Sequence, residues 1–290
     1  MAETASTVPR RQLGRYLREL RQQSGMTIAE VARRIERGAT TVQRLETGQA
    51  DRIRMWDIEA LCQVLGAGET ETAALKGLAQ QGNTKSWWHE YGDLIPQNFD
   101  VYMGLESASA SFTSFQELVP GLAQTPDCAR VLMRTVHPGE SGSEIDRRVE
   151  MRMHRQILIT RHSKPLSVTM ILDESVLHRV IGSAKIMATQ LRHLADLSTK
   201  PNVAIRILPY SAGVPLGDLT GPFIILDFDD DDTGQSFEPP VVYVESYTGA
   251  MYFDDRDSVQ RYRTAHETMW QVALDASRSR DLLRRASKDI

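Results

Sequence analysis

What this sequence has little of narrows its reading first. Its 290 residues contain two cysteines, Cys62 and Cys128, in separate segments, which builds neither a disulfide framework nor a zinc spacing. Seven histidines are present, yet none falls in an H-x-x-x-H or H-E-x-x-H arrangement, so no metal site is expected. There is no Walker lysine motif and no G-x-S-x-G elbow. "GAGETE" lacks the third glycine of a dinucleotide fingerprint and, following a helical pattern, reads as a helix stop. No catalytic residue and no cofactor are expected, and the chain is not read as an enzyme. No apolar run approaches the ~18 residues needed to span a bilayer, and "MAETASTVPRR" has no apolar h-region. A cytoplasmic protein without a membrane partner is the expectation.

Lysine is also missing where it might have been common. From Pro9 to Gly66 the chain carries eleven Arg and no Lys against seven Asp and Glu, a local +4 inside a net charge of −4. A small basic unit is thus joined to a larger acidic one, and basic units favour polyanions. With 41% hydrophobic residues the chain can fill two domain cores.

The basic stretch reads as short amphipathic helices. Leu13, Tyr16, Leu17 and Leu20 follow an i, i+3, i+4, i+7 pattern, as do Ile28, Val31, Ala32 and Ile35, and Ile58, Leu61, Cys62 and Leu65. Gly25 separates the first two helices, Thr27 and Glu30 form a T-x-x-E capping box, and Gly48 suits the end of the third. Residues 9–66 are therefore expected to be a DNA-binding helical domain, 67–85 a connector, and 86–290 a second domain for regulation, dimerisation and partner binding.

The second and third helices make a helix-turn-helix, in which the second member of the pair enters the major groove. The helix Ala39–Thr47 alternates a few apolar residues with short or planar polar ones, as a groove requires. Ala39, Thr40, Gln43 and Arg44 are the candidate base contacts. Thr27, Arg37, Thr41, Arg52 and Arg54 are the candidate phosphate contacts.

Beyond the connector, helix and strand signals mix. Strands are expected at Leu166–Leu172, Val203–Leu208, Pro222–Phe228 and Val241–Glu245, with Ala250–Phe253 closing a hairpin. Helices are expected to start at Thr125 with Pro126, to span Ser143 to about Thr160 and Ala184–Leu197, and to end the chain with the stripe Val259, Tyr262, His266, Met269, Trp270 and Ala273. Trp87, Trp88, Arg152, Arg155 and Gln156 are candidates for a partner or regulatory surface. The competing reading makes the tryptophans core anchors and lets Arg152–Gln156 brace the interior. The Arg147, Arg148, Arg152, Arg155 helix reads as a solvated face or a second phosphate face. "DFDDDDTG" (227–234) reads as an acidic turn; it lacks the glycine and glutamate of a calcium loop.

"LRELRQQSGMTIAEVARRIERGATTVQRLETGQ" resembles the lambda-repressor-like, or Xre, helix-turn-helix family, through the T-x-A-E-x-A core and the L-E-x-G ending. That resemblance implies a structural pair between Arg21 and Glu46. One departure is Ile28, which stands where many relatives carry a phosphate-touching Gln. "LVPGLAQTPDCAR", "RMHRQ", "LDESVLHRVIG" and "VVYVES" are similar to the second domain of actinobacterial antitoxin-like regulators, the WhiJ-type proteins. The resemblance implies a four- or five-helix DNA-binding domain followed by an α+β or α/β domain whose sheet is flanked by helices. It also implies a small partner protein encoded nearby. The function expected is sequence-specific binding of double-stranded DNA, as a homodimer on an inverted-repeat operator. An antitoxin-like hub that sequesters a small partner, or a small-molecule-sensing repressor, is the alternative.

Overall fold

The structure, a computed structural model, describes residues 8–50, 52–83, 87–91, 93–95, 97–229 and 238–290. They fall into two units, Met1–Ala108 and Ser109–Ile290.

In the first unit, α1 (Val8–Gln23), α2 (Ile28–Arg34), α3 (Ala39–Glu46), α4 (Met55–Leu65) and α5 (Glu69–Gly82) share one core. The amphipathic stripes read from the sequence meet there: Leu13 and Leu17 from α1, Val31 from α2, Val42 and Leu45 from α3, Ile58 and Leu61 from α4 are all nearly inaccessible. Each such side chain contributes roughly 1.5–3 kcal/mol of burial. Thr27 and Glu30 form the expected capping box at the start of α2, and Gly48 and Gly66 supply the left-handed residues after α3 and α4.

The segment 67–85 is not a connector for most of its length. Residues 69–82 form α5, which buries Leu75 and Ala79 in the common core. Its few apolar residues stand one turn apart, enough for a helix whose remaining faces are wet. The aromatic stretch after it also belongs to the first unit. Trp87–Tyr91 make a turn of 3-10 helix, followed by α6 (Gln97–Ala108). The second unit therefore starts later than residue 86.

That unit is a mixed sheet with helices on it. In chain order it comprises β1 (Ser111–Gln116), α7 (Pro126–Val136), α8 (Gly142–Arg155), α9 (Ile157–Thr160), β2 (Ser167–Asp173), α10 (Ser175–His178), α11 (Ala184–Leu197), β3 (Val203–Leu208), β4 (Phe223–Asp227), β5 (Val241–Ser246), β6 (Gly249–Phe253), α12 (Arg256–Val272) and α13 (Ala276–Asp289). Strand order is β3-β2-β1-β4-β5-β6. The first three run parallel, and β4, β5 and β6 are antiparallel to their neighbours. Helical crossovers join the parallel strands and a hairpin joins β5 to β6, as the connection lengths dictate.

One face and one edge of this sheet are covered by the C-terminal helices. Ala204, Thr169, Thr113, Ile225 and Val242 are register partners in one row across the sheet, on the face where α12 packs Val259 and Met269 against Phe115, Ile171 and Ile225. At the β3 edge, Ile207 N donates to Ser279 Oγ (3.0 Å) and Ile207 O accepts from Leu274 N (2.9 Å). The start of α13 thereby occupies hydrogen-bonding positions that an edge strand would otherwise expose.

Candidate nucleic-acid interface

The turn between α2 and α3 is built by backbone chemistry. Ile35 ends α2, Glu36 adopts φ +54°, Glu36 N donates to Arg33 O (3.3 Å) and Arg37 N to Ala32 O (2.9 Å). These are the two reverse bonds of a Schellman motif. A glutamate in the left-handed region costs about 1–2 kcal/mol more than a glycine there. The turn sets α3 across α2 with Gly38 as its N-cap, and Gly38 offers no side-chain acceptor to the first-turn amides. Such amides suit a phosphate oxygen.

Two contacts with α1 hold the far end of α3. Arg21 Nε and Nη2 donate to Glu46 Oε1 and Oε2 at 2.6 and 2.9 Å, while Nη1 donates to Met26 O at 3.0 Å. The structural pair implied by the resemblance is present. It holds the guanidinium above its usual pKa range, chiefly through the hydrogen bond to Glu46. Gly14 lies so close to α3 that an added Cβ would stand 2.5 Å from Leu45 O and 2.6 Å from Glu46 O; only glycine permits this approach.

With Val42 and Leu45 turned inward, α3 leaves Ala39, Thr40 and Gln43 exposed and Thr41 and Arg44 half-buried. The four candidate base readers thus share the helix that the motif would insert. Arg52 and Arg54 are exposed on the loop before α4. That loop is clasped from two sides. The buried Arg10 donates Nε to Gly82 O (2.7 Å) and Nη1 to Ala50 O (2.6 Å). Asn83 pairs with Ile53 as a strand would, Nδ2 to Ile53 O at 2.7 Å and Ile53 N to Oδ1 at 3.1 Å. Neither Arg10 nor Asn83 was nominated from the sequence; both stand outside the motif, one in α1 and one just after α5. Trp56, 80% exposed on the first turn of α4, was also missed.

Two candidate phosphate contacts are engaged elsewhere. The Thr27 hydroxyl accepts from Glu30 N (3.2 Å) and gives its one proton to Glu30 Oε2 (2.8 Å), so the cap uses the donor a phosphate would need. Arg37 donates Nε to Asp57 Oδ1 at 2.8 Å, tying the α2–α3 turn to α4. Ile28 packs against the common core, as an apolar residue at that position must.

In the second unit, the arginine-rich helix α8 turns much of its charge inward, which corrects both the solvated-face and phosphate-face readings. Arg148 is buried and donates to both Glu140 oxygens at 2.6 and 2.5 Å, a pair that holds the Glu140 carboxyl below its usual range. Arg155 is buried. Arg152 Nη1 donates to Gln124 Oε1 (2.6 Å), and Gln156 Nε2 donates to Gln124 O (2.7 Å) and Gly121 O (3.2 Å). Gln190, fully buried in α11, grips the same loop, accepting from Thr125 N and donating to Ala123 O, both at 2.7 Å. Two separate segments, the end of α8 and α11, thus converge on residues 119–125.

A helix-turn-helix domain model matches residues 12–75. A second family model, described as Domain of unknown function (DUF5753), matches residues 99–285, well over half of the chain. The chain belongs to the DUF5753 family. No curated protein and no solved structure matches it. The first unit accordingly contains the helix-turn-helix domain of a DNA-binding regulator, and the DUF5753 region takes in the sheet, helices on it and the clamp on residues 119–125. Among the described residues no helix is long and apolar enough to cross a membrane.

Of the five residues nominated as a partner surface, Trp87 and Trp88 belong to the first unit and Arg152, Arg155 and Gln156 to the second. Trp88 is 5% exposed, its Nε1 donating to Asp100 Oδ1 at 2.6 Å, with the Trp87 ring edge-on at 5.7 Å; this is the core-anchor arrangement. Arg152, Arg155 and Gln156 belong to the clamp of the DUF5753 region. Of the acidic stretch 227–234, residues 230–234 lie outside the described residues. Asp227 pairs with Arg263 and accepts from Ser111 Oγ (2.8 Å), and Asp229 pairs with Lys164.

Proposed function

We propose that this DUF5753 protein is a sequence-specific transcriptional regulator of the Xre type, with α3 read into the major groove of an operator. The observation that carries the reading is the division of α3: Val42 and Leu45 go into the common core, while Ala39, Thr40 and Gln43 stand exposed beside Arg44. Those four are the proposed base readers. Thr41, Arg52 and Arg54 are the proposed phosphate contacts, and Thr27 and Arg37 are assigned to the scaffold instead. Because one module of this size covers little DNA, selectivity needs two half-sites. The active form is therefore a homodimer on an inverted repeat, with the DUF5753 region supplying dimer contacts and regulatory input. The proposal assigns the chain no catalytic reaction.

The test is fluorescence anisotropy of the full chain on duplex DNA from upstream of its own gene, across a salt series. Selective binding that weakens steeply with salt supports the reading. Arg44→Ala is expected to cost about 1–3 kcal/mol at one base position, whereas Arg52→Ala should weaken all sequences alike and reduce the salt slope. Equal affinity for a scrambled duplex would defeat the regulator reading. Binding that appears only with a co-purified small protein would favour the antitoxin-like hub.

A further inference from the structure

Between α12 and the sheet of the second unit lies a cavity of about 350 Å³. Its floor is the middle of the transverse row, Thr169, Thr113 and Ile225, and its roof is Arg263, His266, Glu267 and Trp270 of α12. The roof residues follow i, i+3, i+4, i+7, so a single helical stripe covers the floor. Where a helix merely packs on a sheet, that stripe and that row are apolar. Here two hydroxyls sit side by side at the centre of the sheet, opposite a histidine that is 6% exposed and whose Nε2 has no hydrogen-bond partner. Burying an imidazole nitrogen without a partner is costly, and such an atom in a native fold calls for an explanation.

The walls are fixed in place. Arg206 lies 4.1 Å over the Trp270 ring and donates Nη1 to Trp270 O (3.1 Å). The His266 ring stacks on Trp270 at 5.7 Å and 24°. Burial holds His266 uncharged, its pKa pushed down to about 4, against a smaller opposing effect of a hydrogen bond to the Ser114 backbone. Because Nε2 makes no hydrogen bond, the bond to the Ser114 backbone falls to Nδ1–H, which leaves Nε2 of the uncharged ring as an acceptor. Glu267 adds a carboxylate at the rim, and Arg263, the cationic wall residue, is already paired with Asp227. Of the residues lining the cavity, the one arginine is paired, and acceptors remain for a ligand.

We propose that this cavity binds a small organic molecule rich in N–H donors, of the amine or amidine class. His266 Nε2 and the Thr113 and Thr169 oxygens accept its hydrogen bonds, Glu267 balances its charge, and Trp270 supplies an aromatic wall. The volume lies at the small end of the range for ligand pockets, which suits a single-ring compound. The inference stands apart from the DNA-binding proposal, because it concerns the second unit alone and is read without DNA.

The experiment uses the full chain and two probes of one shape and opposite chemistry, benzamidine and benzoate. Isothermal titration is run alongside ¹⁵N spectra of the histidine side chains. Benzamidine is expected to bind one per chain with a Kd below about 1 mM, to move the His266 Nε2 resonance, and to leave benzoate without saturable heat. Thr113→Val with Thr169→Val keeps the shape of the floor, removes both hydroxyls, and should weaken benzamidine at least about tenfold; His266→Leu should do the same. The threonine pair keeps the test decisive if the histidine variant folds poorly. No saturable benzamidine binding, equal binding of benzoate, or unchanged affinity in the double threonine variant would overturn the proposal.

Discussion

The Arg21–Glu46 pair can be taken apart one side at a time. The Arg21 and Glu46 side chains are 13% and 6% exposed, so Arg21→Met leaves a carboxylate almost out of water with two of its charge-assisted bonds gone. Breaking a buried pair from one side costs about 3–5 kcal/mol. The residual exposure of the site lets some water in, and about 2–4 kcal/mol is expected here. With a urea slope of about 1–3 kcal/mol/M, the unfolding midpoint of the first unit should fall by roughly 1–2 M. Arg21→Met with Glu46→Leu removes both charges and should recover most of that loss, because apolar replacements of buried pairs are often neutral or better. Hydrogen exchange read peptide by peptide along α1–α3 keeps the measurement local to this unit. If Arg21→Met changes exchange protection by less than about 0.5 kcal/mol, or if the double variant loses as much as the two single variants together, the pair does not hold α3 and the reasoning fails.

Other outcomes can be read from the second unit. Gln190→Leu leaves Thr125 N and Ala123 O buried without partners, at about 1–3 kcal/mol each; a lower unfolding midpoint and faster exchange of the Thr125 amide are expected, and an unchanged amide would refute the clamp. The folded pKa of His266 lies at about 4, below its ordinary 6.5, so on acidification the unfolded chain takes its proton first. The stability it contributes is fully present above about pH 6.5 and is lost as pH falls from there to about 4, by up to about 3 kcal/mol. His193 is depressed by burial in the same direction, so the decline should become shallower in His266→Gln without vanishing. A pH profile identical to that of the parent would sink the assignment. Cys62 and Cys128 are both buried, and burial raises both thiols, Cys128 to about 11. Neither should react with Ellman's reagent at pH 8 until the chain is unfolded, and a native thiol titrating within minutes would contradict this.

Where hydrophobic period and cap chemistry agreed, the sequence could be read closely. Ala184–Leu197 and Val203–Leu208 appear with the expected bounds, one from a helical stripe and the other from alternation. Strand β1, at the centre of the sheet, escaped because "SFTSFQ" places Ser and Thr where a central strand is normally apolar; two of those positions face the cavity and the sheet interior. Helix α13 escaped for a related reason. It buries Ser279, Leu283 and Ser287 one turn apart, and two buried serines, of which Ser279 serves a strand edge, leave little hydrophobic pattern to detect. In the helix-turn-helix the polar face of α3 was legible because exposure and polarity coincide. Arg37 and Arg148 were not, since an arginine written in a sequence does not reveal whether a carboxylate waits beside it in the fold.

The clasp made by Arg10 and Asn83 has a practical consequence for anyone dissecting this chain. A fragment ending at Gly66 would retain the whole recognisable motif and look complete. It would lack Leu75 and Ala79 from the shared core and both residue 82 and residue 83, which anchor the stretch bearing Arg52 and Arg54. Such a piece should be poorly folded, and any weak binding it showed would be misread as a property of the motif. The smallest safe cut lies beyond Asn83, which makes the DNA-reading module larger than its signature.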